Sequence, residues 1–184
     1  ALTGARLDGA ECLWAGLATH YLPSDQLAEA KERIAHGHEP GGVLSALAVH
    51  LPEPRIEGHV RDIARHFASD RLEDILASLE SDDSDWAAKE LATLRTKSPQ
   101  ACKVALRQLH DSLDCAHFAE NMVMEYRIGA RVINLPDFAE GVRAVIVDKD
   151  NAPKWNPAAP EGVSDELIES IFAPLGEGKE WKPL

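Results

Sequence analysis

Apolar residues in this chain recur every three or four positions, and the runs are broken by Gly, Pro, Ser and Asp. That period places them on one face of a helix. Ile56, Val60, Ile63 and Phe67 step by four, three and four and predict one core-facing stripe. Leu72, Ile75, Leu76 and Leu79 predict the next, opened by an Asp70/Glu73 capping box. The two stripes suggest an antiparallel pair turned at residues 68–70. A second capping box, Asp8 with Glu11, opens the first helix, and Gly16 stops it. Ser24 caps a helix carrying Leu27, Ala30 and Ile34, which Gly37 ends.

Residues 37–42 read as a turn-rich break before a short helix over 43–49. Ser84 caps a helix with Trp86, Leu91 and Leu94. Ser98-Pro99 restarts the chain as a cap followed by proline at the first helical position. Residues 115–132 predict a long helix with Phe118, Met122, Tyr126 and Gly129 on one side. Asp137 is expected to cap a helix ending near Val147, and Ser164 to open the last one. Residues 148–160 are Pro-rich and extended, and the tail from Pro174 is expected to fray. The best strand candidate is residues 17–22 (LATHYL), between Gly16 and Pro23. No internal repeat recurs at a fixed spacing. Taken alone, the chain is mainly α.

Composition narrows the class. The chain has 184 residues, 45% hydrophobic, enough for a real core. Lys plus Arg number 19 against 31 Asp plus Glu, a net charge of −12. Such a chain repels phosphate backbones, so no nucleic-acid partner is expected. A small anion needs only a few local cations. No apolar run approaches ~20 residues, so no membrane span is expected. Cys12, Cys102 and Cys115 are scattered and form no CxxC pair, which fits a reduced, intracellular protein. No secretory signal opens the chain. Ala1 begins without an initiating Met, so the expectation is a piece of a longer protein.

Candidate chemistry is sparse. The sequence holds no GxSxG, GxGxxG, P-loop or HExxH motif. His36 and His38 flank Gly37; His59 and His66, and His110 and His117, are spaced by seven. A zinc site needs ligands converging from several elements, so solvated or edge histidines are expected and no metal. Asp82, Asp83 and Asp85 sit in a polar loop with nothing apolar to raise a pKa. Neither Cys102 nor Cys115 has a neighbour that signals thiolate activation. Residues 122–126 are expected to be core.

Two segments carry more information. Residues 2–23, LTGARLDGAECLWAGLATHYLP, resemble the crotonase-superfamily phrase LTG-x-x-L-x-x-x-x-A-x-x-x-GLA. The ATHYLP ending resembles the hydrolase branch. Residues 137–157, DFAEGVRAVIVDKDNAPKWNP, resemble the C-terminal signature of 3-hydroxyisobutyryl-CoA hydrolases. Residues 97–109 (KSPQACKVALRQL) and 124–127 (MEYR) are similar to the same branch, and the inserted helices over 56–79 suit it.

The resemblance implies the C-terminal helical part of an α/β crotonase fold. Residues 1–23 would end the crotonase core as helix plus short strand, and 24–184 would form the helical region with an extended tail. It implies hydrolysis of 3-hydroxyisobutyryl-CoA, a step of valine degradation, with CoA as part of the substrate and no separate cofactor. The family's oxyanion hole and its Glu and Asp would lie upstream, so no catalytic residue is assigned here and the isolated chain is expected to be inactive. Related hydratases carry a Lys near the CoA phosphates at the position of Lys149; Arg143 is expected instead to pair within its own helix. Phe138 and Trp155 are expected to pack the C-terminal segment. Partners would be the acyl-CoA, the missing N-terminal half and a second copy. The bacterial cytoplasm is preferred, with the mitochondrial matrix as the other compartment. Two alternatives stand: an enoyl-CoA hydratase/isomerase fragment, and a non-catalytic helical interaction module.

Overall fold

The computed structural model describes residues 1–50 and 52–182. Among them no strand forms; the structure is helices joined by turns. They fall into two compact units, one of Ala5–Ala64 and one of Ala1–Gly4 with the chain from Arg65 onward.

In the first unit, α1 (Gly9–Trp14) opens on the expected capping box. Asp8 accepts from Glu11 N, and Glu11 accepts from Asp8 N, each at 2.9 Å. Glu11 is 5% exposed, and Arg55 reaches it at 3.2 Å. The strand expected over 17–22 is absent. Tyr21 offers its carbonyl to Val49 N at 3.1 Å, but among the described residues no partner strand lies beside it to build a ladder. A 3-10 turn, Ser24–Gln26, leads into α2 (Leu27–Ala35), and Ser24 makes no side-chain cap. The break expected at 37–42 is shorter. Glu39 caps α3 (Pro40–Leu47) from the amides of Gly41 and Gly42, and Pro40 sits at its start. The stripe from Ile56 is interrupted: Arg55–His59 is 3-10, and α4 runs Val60–His66.

The second unit is built around α7 (Pro99–Ser112). On one side pack α5 (Leu72–Glu80) and α6 (Asp85–Leu94), burying Leu72, Ile75, Leu79, Leu91 and Leu94 against Cys102. On the other pack α8 (Phe118–Val132) and α10 (Asp165–Phe172), burying Met124, Ile128, Ile168 and Ile171 against Val104. Cys102 and Val104 are two positions apart, about 200° around a helix, so one helix serves two clusters. Helix α5 packs chiefly on α6, whereas the sequence places its antiparallel neighbour in the preceding stripe. Its expected Asp70 box does not form; Arg71 is the cap residue, and Ser69 donates to Asp74 instead.

Helix α8 turns its other face inward. Phe118 and Tyr126 are exposed, while Met124 and Ile128 are buried by α10. Both sets fit a helical spacing, and packing chose between them. The tail is tied down rather than frayed over its described part. Arg131 donates to the carbonyls of Ile171, Ala173 and Pro174, and Arg127 pairs with Glu180 at 3.0 Å. Pro183 and Leu184, the end of that expected fray, lie outside the described residues.

Candidate functional site

The segment that matters most begins at α9 (Pro136–Val142), which continues into a π-turn, Arg143–Val147. Proline at the first position fits the helix start, but Asp137 does not cap it; the cap residue is Leu135. Asp137 is 6% exposed and bonds away from its helix. It accepts from Ser98 Oγ at 2.5 Å and from Asn156 N at 3.0 Å. Ser98 caps α7 with the same hydroxyl, accepting from Ala101 N at 3.0 Å. One carboxyl thus ties the start of α7, the start of α9 and the returning strap of residues 152–157.

Trp155 completes that return. Its indole N–H donates to the Thr96 carbonyl at 2.9 Å. Its ring lies so close over Gly141 that a Cβ there would stand 3.4 Å from it. Phe138, expected to pack beside it, is 44% exposed. The residues of the KSP and DFAEG…PKWNP stretches are therefore neighbours in space, although about forty residues apart in sequence.

The π-turn ends in a charged loop. Lys149 and Asn151 both take left-handed backbone, with φ of 57° and 51°. Asparagine tolerates that region; a Lys there is uncommon and must be held in place. The holding group is Arg143. Its guanidinium donates to both oxygens of Glu140 (2.9 and 2.8 Å), to Asp148 and to Asp150 (each 2.7 Å), and to the Ala152 carbonyl at 3.2 Å. Asp148 N and Asn151 N close back on the carbonyls of Arg143 and Ala144 at 2.8 and 3.1 Å. Arg143 therefore pairs within its helix, as expected, and also reaches beyond it.

The electrostatics follow from this geometry. The hydrogen bonds of Arg143, then the Lys154 amide, bring the Glu140 carboxyl from an ordinary 4.5 to about 2. The bonds of Arg143, then the Ala152 amide, hold Asp150 below its ordinary range. Arg143 itself is pushed up, first by Glu140 and then by Asp150 and Asp148. The side chains of Lys149 and Lys154 are exposed, and neither ammonium has a hydrogen bond or ion pair among the described residues. Lys149 is the one site residue that the sequence names. Lys154 and the Arg143 clamp escape it, because their arrangement depends on a loop that periodicity does not describe.

A second polar cluster lies at α4–α6. His66 is 3% exposed, unlike the solvated histidines expected. Its Nδ1 lies 2.9 Å from Ser78 Oγ, its Nε2 3.1 Å from Asp82, and its ring 6.0 Å from that of Trp86. Arg65 also pairs with Asp82. The order Ser–His–Asp resembles a nucleophilic triad, but Ser78 sits inside α5, where neighbouring amides are used by the helix. A triad needs free N–H donors beside its nucleophile to hold an oxyanion. Here the cluster joins helix ends. Asp82, expected to be solvated, is drawn into it.

The open grooves add little chemistry. One, of about 840 Å³, lies between α7, α8 and α10. Its cations are already used: Arg107 pairs with Asp111 and Glu169 and lies over Phe172, and Arg127 pairs with Glu180. Burial pushes the Cys102 thiol up to about 11, the reverse of activation. Among the described residues no cluster of three His, Cys, Asp or Glu side chains is arranged to hold a metal.

Comparison with known proteins places this geometry. Residues 1–172 match the family described as enoyl-CoA hydratase/isomerase. Over 96% of its length the chain is 36% identical to the mitochondrial 3-hydroxyisobutyryl-CoA hydrolase of Gallus gallus and 35% identical to that of Homo sapiens. Each alignment takes 48% of the relative, so the chain spans about half the length of the curated relatives it matches. Among solved structures, a carnitinyl-CoA dehydratase from Mycobacterium thermoresistibile superposes with a TM-score of 0.87 at 29% identity, over 96% of this chain and 51% of that one. An enoyl-CoA hydratase from Rhodobacter sphaeroides 2.4.1 gives 0.82 at 35% identity, over 95% and 50%.

Proposed function

The chain belongs to the enoyl-CoA hydratase/isomerase family of the crotonase superfamily, and from that premise we propose that it is the C-terminal, supporting half of a 3-hydroxyisobutyryl-CoA hydrolase. The observation that carries the reading is its likeness to named hydrolases over 96% of its length and only 48% of theirs. The oxyanion hole and the acid–base carboxylates then belong to the other half, and no residue here is catalytic. This half supplies a packed helical body and a clamped loop. Lys149 is its contact with the CoA phosphates, as a compact exposed cation.

A surface feature supports a supporting half over a self-sufficient module. Phe138, Val142, Val145, Ile146 and Val147 follow one another along α9 and the π-turn at 39–67% exposure. Apolar side chains grouped this way belong under something. The substrate is an acyl-CoA; a second copy is a further partner. The compartment is mitochondrial, as in the relatives' names; the bacterial cytoplasm preferred from sequence finds no support in them.

One observation favours a second reading. The solved neighbours carry dehydratase and hydratase names, and one is 35% identical, level with the human hydrolase. That reading makes the reaction addition or loss of water across a double bond. The test is turnover of 3-hydroxyisobutyryl-CoA and of an enoyl-CoA, by this chain alone and by the protein that joins it to the other half. Release of free CoA only by the joined protein supports the hydrolase reading. Hydration without CoA release replaces it with the second. Turnover by the 184-residue chain alone overturns the placement of the catalytic groups elsewhere.

A further inference from the structure

Six charged side chains crowd residues 140–154: Glu140, Arg143, Asp148, Lys149, Asp150 and Lys154. Their formal charges cancel, so by count the loop has no preference for an anion. The geometry separates them. The three carboxylates converge on one guanidinium, at 2.7–2.9 Å; the charge of Lys154 acts on Asp150 without an ion pair, while the Lys149 ammonium stays exposed and unpaired among the described residues. One guanidinium offsets one of the three carboxylate charges and draws their oxygens toward itself, so the group repels a nearby anion less than three bare carboxylates would. Asp148 and Asp150 are the immediate chain neighbours of Lys149, where bare charges would weaken its field most.

We propose that Arg143 is a positioning residue for a phosphate-bearing ligand: it takes Asp148 and Asp150 into one guanidinium, masks the carboxylates flanking Lys149, and leaves that ammonium to meet the phosphate. The proposal rests on the reading of Lys149 given above. The left-handed backbone at Lys149, between the two aspartates, turns Asp148 and Asp150 to the same side, toward Arg143. Lys cannot replace Arg here, since one ammonium lacks the planar fork that spans five acceptor oxygens.

The test is calorimetric titration of the full-length protein with CoA and with pantetheine, which lacks the phosphates, alongside a thermal melt of each variant. Lys149→Ala is expected to weaken CoA about fivefold, the scale of an exposed ion pair, and leave pantetheine unchanged. Arg143→Gln should weaken CoA similarly, and adding Asp148→Asn and Asp150→Asn should restore it to within about twofold of the parent. The doubly substituted Arg143→Gln/Lys149→Ala protein should bind no worse than Arg143→Gln alone, because one residue acts through the other.

If the variant lacking Arg143 does not fold, Asp148→Asn/Asp150→Asn in the parent still decides the matter. It should bind CoA as well as the parent or better, and weaker binding overturns the proposal. Unchanged CoA binding by Arg143→Gln, or a triple variant as weak as Arg143→Gln, also overturns it while leaving Lys149 as the phosphate contact. Unchanged binding by Lys149→Ala removes the Lys149 reading itself.

Discussion

Ser98 donates its hydroxyl proton to the buried carboxyl of Asp137 at 2.5 Å, across 39 residues of chain. The same oxygen accepts the Ala101 amide and caps α7. Two signature stretches thus meet at one atom, and this joint sets where the strap of residues 152–157 returns.

Replacing Ser98 by Ala removes the cap and leaves an Asp137 oxygen without its donor. The expected cost is about 3 kcal/mol, of which the cap is about 1. Ser98→Thr keeps the hydroxyl and should cost far less. Urea unfolding of the parent and the two variants measures this, and equal midpoints for the parent and Ser98→Ala would show that the joint contributes nothing.

Trp155 contributes a hydrogen bond and a packed ring, and two substitutions remove them in steps. Trp155→Phe keeps an aromatic ring but loses the bond to the Thr96 carbonyl, about 1 kcal/mol, and the outer edge of the indole that reaches Gly141. Trp155→Ala also uncovers Gly141 and should cost about 2 kcal/mol in all for a half-buried ring. Thermal melts should rank parent, Phe and Ala in that order; a Phe variant less stable than Ala contradicts it.

Glu140 makes stability depend on acid. Its carboxyl falls from an ordinary 4.5 to about 2, so the folded chain holds the ionised form more tightly than the unfolded chain does. The contribution is complete above pH 4.5 and is lost as pH drops through about 2. A Glu140→Gln variant should therefore be less stable than the parent at about pH 6, with the gap closing between pH 4.5 and 2. A gap that is constant across that window would rule out the carboxylate as its source.

Cys102 should be the slow thiol. Burial pushes it up to about 11, and the charge of Lys97 offsets only part of that. At pH 8 about one molecule in a thousand carries the thiolate, and the group is 5% exposed. Alkylation of the native chain should spare Cys102 and reach half-buried Cys12 and Cys115 first. Peptide mapping that finds Cys102 modified as fast as Cys115 would count against this packing.

The helices were largely legible because their signals are local. Asp8 with Glu11, Ser84, Ser98-Pro99 and Ser164 all cap as their residue types require, since a side-chain oxygen reaches amides only two or three residues ahead. Asp137 carries the same signal and does not cap, because tertiary partners claimed the carboxyl; Asp70 stands one residue ahead of the cap position, which Arg71 takes. The strand over 17–22 failed for a related reason. Its residues suit a sheet, but a strand exists only with a neighbour to pair with.

The sequence by itself determined that this chain is helical, which residues start most helices, and which family phrases it carries. Those depend on spacing within one or two turns. Tertiary structure decided which face of α8 is buried, that Asp137 serves Ser98 and Asn156, and that Arg143 gathers Glu140, Asp148 and Asp150 while Lys149 stays unpaired among the described residues. The reason is reach. A side chain selects among partners within a few ångströms, and only the folded chain brings Ser98 to Asp137 or Thr96 to Trp155.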